Sequence, residues 1–429
     1  MKFVVLDENR FNEYASSHEL SSFQQCSYWG KLKADNGWAY EFVGVEDDLG
    51  NLCAAALLVS KKLAKLFKFY YSPRGLLVDY NNEALVSYFS KEIKKYILKH
   101  GGMVLKIDPY VDEKELDMDG NVVEGGYDNS HVRELLQKNG FTFLVNKDGT
   151  PQATGARCIF ALDFNGLTND ELFSNFAKHV KQSIKSAIKY GVKVEELSYD
   201  ELSRFKTILE NTSKRRRFID RPLSYYQMLY KAYGDSMKFC VAVLDMDIYK
   251  EKLMERYEKA QKTYDRLFAR KQENPESTRY DGELKEAKVN LDSSKKGLDE
   301  ADSIISKYGK VIDLSCACYF LWGNEVLNQY GGNEEELLKY GGQYYLHWHM
   351  IQYANNHGYT RYNFYGIPYN LNKENNPLYG VYEIKRGFRG RVMRLIGEYD
   401  MVLRPVLYGL YYFMFETYKK IKYIQISKK

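Results

Sequence analysis

The sequence predicts two tandem α/β domains with mixed sheets, and a helical hairpin inserted into the second. Three observations carry that expectation. A strand, strand, helix, strand order occurs twice, a pair of heptad seams interrupts the second copy, and 429 residues suffice for two ordinary domains. At 45% hydrophobic and 28% charged, the chain is too apolar to stay disordered and too polar for a membrane transporter. Its 62 basic and 57 acidic side chains leave a net charge of only +5, so anions must be bound by local clusters and not by a global field. The 39 Tyr against 8 Pro suit half-buried strands and a wettable cleft.

Taken in order, Met1 to Asp7 is a short apolar run with one Lys and no cleavage pattern, which reads as a first strand and not a signal peptide. Tyr40 to Val45 and Leu52 to Val59 are strand-like runs around the turn Asp47 to Asn51. Leu85 to His100 has helical periodicity, Gly101-Gly102 closes it, and Met103 to Pro109 follows as a strand. The second copy has strands Phe239 to Leu244 and Ser315 to Trp322, a helix Tyr344 to Asn356 closed by His357-Gly358, and a strand Tyr359 to Pro368. Between its first two strands, Leu253, Tyr257, Ala260, Tyr264 and Leu267 form one a/d seam. Leu284, Ala287, Leu291, Ser294, Leu298, Ala301, Ile305 and Tyr308 form another after a Pro-containing turn. We expect residues 1–150 as the first domain, with 396–429 packing near it, 151–395 as the second, and 247–309 as an antiparallel coiled-coil arm.

The six cysteines are scattered through apolar runs, the pattern of a reducing compartment, so a cytoplasmic protein is expected. Cys316 and Cys318 share a strand face, but no second Cys or His pair accompanies them and a packed strand is the better reading. No run reaches the roughly 20 apolar residues that would span a bilayer.

Several segments, in this order, resemble one family: Phe23 to Lys33 with Gly37-Trp38, Tyr71 to Gly75, Lys106 to Tyr110, Val180 to Val192, Arg217 to Arg221 with Tyr225-Tyr226, Tyr330 to Gly332, Asn363 to Ile367, and Tyr382 to Phe388. From Phe23 to Asp400 the chain is similar to the Fem family of peptidoglycan bridge-forming aminoacyltransferases. The resemblance implies two domains similar to the GNAT acyltransferase core. It also implies transfer of Ala, Ser or Gly from an aminoacyl-tRNA to the stem-peptide Lys amine, or the growing bridge, of lipid II.

That chemistry needs no cofactor and no metal, because the aminoacyl ester is already activated. It needs two anionic substrates held together, a proton acceptor, and a stabilised oxyanion. By similarity, Lys33 and Arg221 grip the precursor's diphosphate, Arg through its planar fork. Lys385 is the candidate oxyanion stabiliser, although Ile384 stands where family members often have Phe. The basic run from Lys385 to Arg391, with Phe388, Arg389 and Arg391, equally suits the acceptor end of tRNA. Asp108 is the candidate general base, or else an anchor for the attacking ammonium. Arg74, Tyr110, Tyr226, Tyr330 and Phe388 lie in the resembling segments and are candidate substrate contacts. Lys178, Lys181, Lys185 and Lys189 share a helix face and, with Arg215 and Arg216, are expected to form a basic surface for the tRNA backbone. Val406 to Tyr418, aromatic and followed by Lys419-Lys420, suits peripheral contact with the inner membrane leaflet. Two other classes stay open: an acetyl-CoA-dependent N-acetyltransferase, disfavoured by the lack of a Gly-rich pyrophosphate segment, and a tRNA- or partner-binding protein without catalysis.

Overall fold

The structure is a computed structural model that describes residues 1–63, 67–146, 150–374 and 376–414. The described residues build two twisted sheets, of eight and seven strands. The first runs, edge to edge, through Lys2–Leu6, Ala39–Glu46, Leu52–Leu63, Phe67–Ser72, Gly102–Ile107, Tyr399–Val402 and Thr142–Phe143, with Leu77–Val78 beside the third. The second runs through Arg391–Arg394, Cys158–Asp163, Arg361–Gly366, Glu325–Asn333, Val311–Trp322, Met237–Asp245 and Lys193–Glu196.

The repeat expected from the sequence is present, with one strand more per copy. An antiparallel hairpin leads into a third strand, a helix, and then a strand parallel to that third one. The parallel pairs are Phe67–Ser72 with Gly102–Ile107 and Glu325–Asn333 with Arg361–Gly366. The crossover helices are Glu83–Lys99 and Gly342–Asn356. The first buries Val86, Phe89, Ile93 and Ile97 against its sheet, the spacing of one helix face. Each copy is then extended by an antiparallel strand from elsewhere: Tyr399–Val402 beside Gly102–Ile107, and Cys158–Asp163 beside Arg361–Gly366.

In the second sheet, alternation along Met237–Asp245 sends Cys240, Ala242 and Leu244 to one core, and Val241 and Val243 to another. The first core is covered by helices Lys178–Tyr190 and Gly342–Asn356. The second, covered by Leu202–Arg216 and Leu223–Tyr233, is shared with the first sheet. Phe23 stacks on Phe320 with ring centroids 4.2 Å apart, and Tyr233 Oη donates to Phe23 O at 2.8 Å. A common apolar core of this kind fixes the two sheets relative to each other.

Helices Met246–Glu273 and Thr278–Tyr308 form the insertion. Lys250 pairs with Asp302 at 2.6 Å and Lys271 with Asp281 at 2.8 Å, so the start of one helix lies beside the end of the other and the pair is antiparallel. The seams face inward: Leu267, Ala287, Leu291, Ser294 and Ala301 are buried, and Leu253, Tyr257, Ala260 and Tyr264 half-buried.

Among the described residues no helix is long and apolar enough to cross a membrane. The aromatic C-terminal stretch is helical over 405–414; its remainder, with Lys419 and Lys420, lies outside the described residues.

Candidate active site

Where the first copy's parallel strands end, a small cleft is lined by Arg74, Asp108, Gly155, Arg157 and Glu398. Asp108 follows Gly102–Ile107 directly and is 4% exposed. Its carboxylate accepts from Tyr71 Oη at 3.0 Å and from Arg74 N at 2.7 Å, and faces the Arg74 guanidinium at 3.5 Å. Burial pushes this carboxyl up, against the opposing pull of Arg74. Arg74 adopts a left-handed backbone, φ 56°, which a non-glycine residue holds only where its surroundings fix it. The Asp108 bond to its N–H does so. Its Nη2 also donates to Ala156 O at 2.9 Å, across to the segment that enters the second sheet. A Cβ on Gly155 would lie 2.8 Å from that Nη2, so the close approach requires bare backbone.

The opposite wall comes from the second copy. Tyr365, at the end of Arg361–Gly366, is likewise left-handed with φ 63°, and Asn363 Oδ1 accepts its N–H at 2.7 Å. The next carbonyl, Gly366 O, accepts from Lys385 Nζ at 2.6 Å. Lys385 lies in the last turn of the short helix Tyr379–Arg386 and is half-buried, with no acidic partner among the described residues. Desolvation alone lowers its ammonium to about 7. Neighbouring His347 is buried, bonded through Nδ1 to Tyr362 Oη at 2.8 Å, and lowered to about 3 by burial and then by Lys385. It is neutral at physiological pH.

Tyr71, Tyr225, Tyr330 and Tyr365 are half-buried against the shared core; Tyr71 and Tyr365 lie near Arg74, and Tyr225 lies near Tyr365 and Arg221. Tyr225 Oη lies 3.4 Å from Tyr330 Oη, and the Arg221 guanidinium sits over the Tyr225 ring at 5.5 Å. Here the sequence's tyrosine excess has a use, as flat walls with polar tips. Lys33 stands over Trp29 at 4.6 Å and Trp38 at 5.9 Å. Its ammonium is lowered by burial and then by the nearby Arg221. Lys33 and Arg221, far apart in the chain, are thus close enough to repel, an arrangement that a bound dianion would relieve. Asp220 holds Arg221 in place, accepting its N–H at 2.7 Å while bonded to Tyr226 Oη at 2.7 Å and Lys206 Nζ at 2.5 Å.

Several expected contacts are placed differently. Tyr226 and Phe388 have no exposed surface; Tyr226 supports Asp220, and Phe388 packs on Phe364 at 5.0 Å. Tyr110 is buried in a polar knot that sequence reasoning missed, donating to Glu325 at 3.1 Å and accepting from Asn363 Nδ2 at 2.8 Å. Residues so far apart in the chain give no local signal of such a contact. Arg74 is committed to Asp108, and Arg391 to Asp163 at 2.7 Å and Asp112 at 2.6 Å, so both brace the cleft and are not open phosphate ligands. Arg389 is exposed, with Nη1 near Met118 Sδ.

The single basic surface expected for tRNA is two patches. Lys178, Lys185 and Lys189 are exposed and Lys181 half-buried, and none of the four forms an ion pair among the described residues. Their helix covers one face of the second sheet, while Arg215 and Arg216 end a helix on the other face. Arg215 is further engaged by Asn333 O at 3.2 Å and Glu335 at 3.4 Å; Arg216 is exposed. The Lys178 patch borders Lys385, since Ala177 N donates to Gly387 O at 2.9 Å. The Arg216 patch borders Arg221.

Comparison with known proteins fits this geometry. Over 422 residues the chain is 29% identical to the protein named aminoacyltransferase FemA of Staphylococcus aureus strains N315 and RF122, covering 98% of this chain and 99% of each relative. The solved structure of FemX superposes with a TM-score of 0.77 at 21% identity, covering 96% of this chain and 99% of that one, so the fold is shared. The profile of the FemAB family matches residues 6–415. The chain, with its doubled fold, belongs to the FemAB family.

Proposed function

We propose that the protein transfers an amino acid (Ala, Ser or Gly) from aminoacyl-tRNA to the stem-peptide Lys amine, or the growing bridge, of lipid II, working at the cytoplasmic face of the membrane. The observation that carries this reading is two unlike cationic sites on the proposed substrate path. A close cation pair, Lys33 and Arg221, is read as one end of it, and the desolvated ammonium of Lys385, without an acidic partner among the described residues, as the other. The first end suits a diphosphate. The second suits the carbonyl oxygen of an ester passing through a tetrahedral intermediate. The Lys178 to Lys189 patch, which borders Lys385, supports a tRNA approach from that side, away from the lipid-linked acceptor.

In this scheme the acceptor amine attacks the ester carbonyl, the new C–N bond forms, and the ester C–O bond to the tRNA ribose breaks. Asp108 takes one proton from the incoming ammonium, which frees the neutral amine to attack, and the second proton lost from nitrogen leaves with the ribose oxygen. Lys385 donates to the oxyanion between these events. No cofactor or metal enters the scheme. Each domain is read as a GNAT-like unit, 1–150 with 396–414 and 151–395, and the helix pair as a coiled-coil arm. An acetyl-CoA reading is poorly served. The turns opening both crossover helices carry Asp79 and Glu83, or Glu334, Glu335 and Glu336, which repel a pyrophosphate.

The test is transfer of labelled amino acid from Gly-, Ala- and Ser-tRNA to a lipid II analogue, with acetyl-CoA as a parallel donor. Transfer from one of the charged tRNAs is expected. Failure with all three, or acetylation of the acceptor, would overturn the proposal.

A further inference from the structure

An apolar element lies on each side of the Lys33–Arg221 pair, and both face outward. On the second-domain side, Phe218 and Ile219 precede Arg221 in the loop after Leu202–Arg216, and Ile219 is 93% exposed. On the first-domain side lies the helix over 405–414. Its tyrosines hold it to the first sheet: Tyr408 Oη donates to Asp400 at 2.7 Å, and Tyr411 packs on Phe69 at 6.1 Å. Its aliphatic stripe points away, with Val406 87%, Leu410 57% and Met414 53% exposed at a spacing of four. An amphipathic helix of a soluble domain ordinarily buries that stripe, so this one is inverted.

The two elements are joined through the cation pair itself. Tyr411 contacts Phe69, Phe69 contacts Trp38 at 6.4 Å, and Trp38 lies under both Lys33 and Lys61, the latter at 5.6 Å. Lys33 then neighbours Arg221, two residues from Ile219. Lys61, Arg216, Arg217 and Arg404 are exposed along this rim, and none is ion-paired to an acid among the described residues. Exposed aliphatics and aromatics interleaved with unpaired cations match the two components of an anionic bilayer surface, acyl boundary and headgroup charge.

We propose that this rim, with Ile219 on one side and Val406, Leu410 and Met414 on the other, docks the protein on anionic phospholipid. The mouth that receives the diphosphate then opens at headgroup level. This reassigns Arg216 from tRNA to the membrane. It rests on the reading of Lys33 and Arg221 as acceptor ligands, but its test needs neither donor nor acceptor.

The full chain is floated with phosphatidylcholine vesicles, with and without phosphatidylglycerol, alongside Ile219→Glu, Leu410→Glu and Val406→Glu, whose folding is checked by circular dichroism. Wild type is expected to bind only the anionic vesicles, and less with added salt. Each substitution, at a solvent-facing position, is expected to weaken binding about tenfold by replacing an inserting group with a charge of the wrong sign. Transfer to a water-soluble, lipid-free acceptor should be unchanged in all three. Equal vesicle binding by wild type and variants, or no binding by either, would overturn the proposal even with transfer intact. So would a change of oligomeric state in the variants without a change in vesicle binding, which would assign the stripe to a second copy.

Discussion

Replacing Lys385 by Met should lower activity without lowering stability, and the two effects should carry opposite pH signatures. The ammonium is desolvated, has no acidic partner among the described residues, and is lowered to about 7. Losing one oxyanion donor typically costs about 3 kcal/mol, on the order of a hundredfold in rate. Only the protonated form stabilises an oxyanion. The ratio of wild-type to variant kcat/KM should therefore be largest below pH 7 and shrink about tenfold for each pH unit above it. Stability moves the other way. Above pH 7 the folded chain has released this proton, while the unfolded chain keeps it to about pH 10.4, so the unfolded state binds more protons and wild-type stability rises with pH. Between pH 7 and pH 9 this one group should add about 2 kcal/mol. The Met variant lacks that gain and should be at least as stable as wild type at pH 7. Transfer kinetics from pH 6 to 9 and urea unfolding at pH 7 and 9 read both signatures. A rate ratio independent of pH, or a Met variant less stable than wild type at pH 7, would refute the assignment.

Three further outcomes follow from the geometry. Lys33→Ala and Arg221→Ala should each raise KM for a diphosphate-bearing acceptor, leaving kcat nearly unchanged, by the about 1.5–3 kcal/mol of a charged hydrogen bond; the double variant should lose less than the sum, because both cations serve one ligand. Asp108→Asn should cost about 3–5 kcal/mol in urea unfolding, since it strands the buried Arg74 guanidinium, so its activity must be compared at equal fraction folded. Leu291→Ala, in the inward seam of the insertion, should cost at least about 2 kcal/mol locally, and amide exchange should quicken across 246–308 while the sheets keep their protection.

Much of this architecture was legible because its signals are local. Helix Glu83–Lys99 and the two seams of the insertion announce themselves by spacing, and the turns after both crossover helices by Gly. The third strand of each copy was not. Phe67–Ser72 carries aromatics without a clear alternation, and Glu325–Asn333 ends in Tyr-Gly-Gly-Asn, which reads as a turn until it is paired. At the site, family-like segments led to Lys33, Arg221, Asp108 and Lys385, but their states were hidden. That Lys385 has no acid beside it, that Arg391 is held by two carboxylates, and that Tyr110 is knotted to Glu325 are long-range facts. Charge counted along the chain likewise could not tell that Lys178 and Arg216 belong to opposite faces of one sheet.

The strand Tyr399–Val402 has a consequence for how the chain is made. It is the neighbour that covers one side of Gly102–Ile107, yet it follows every strand of the second sheet in the chain and leaves the ribosome after them. Until then the nascent first sheet presents an open hydrogen-bonding edge, shielded on that side by nothing later than its own residues. A chain stopped after the first domain is thus an aggregation hazard and not a miniature enzyme. Synthesis of this late strand, more than any local step, completes the first sheet.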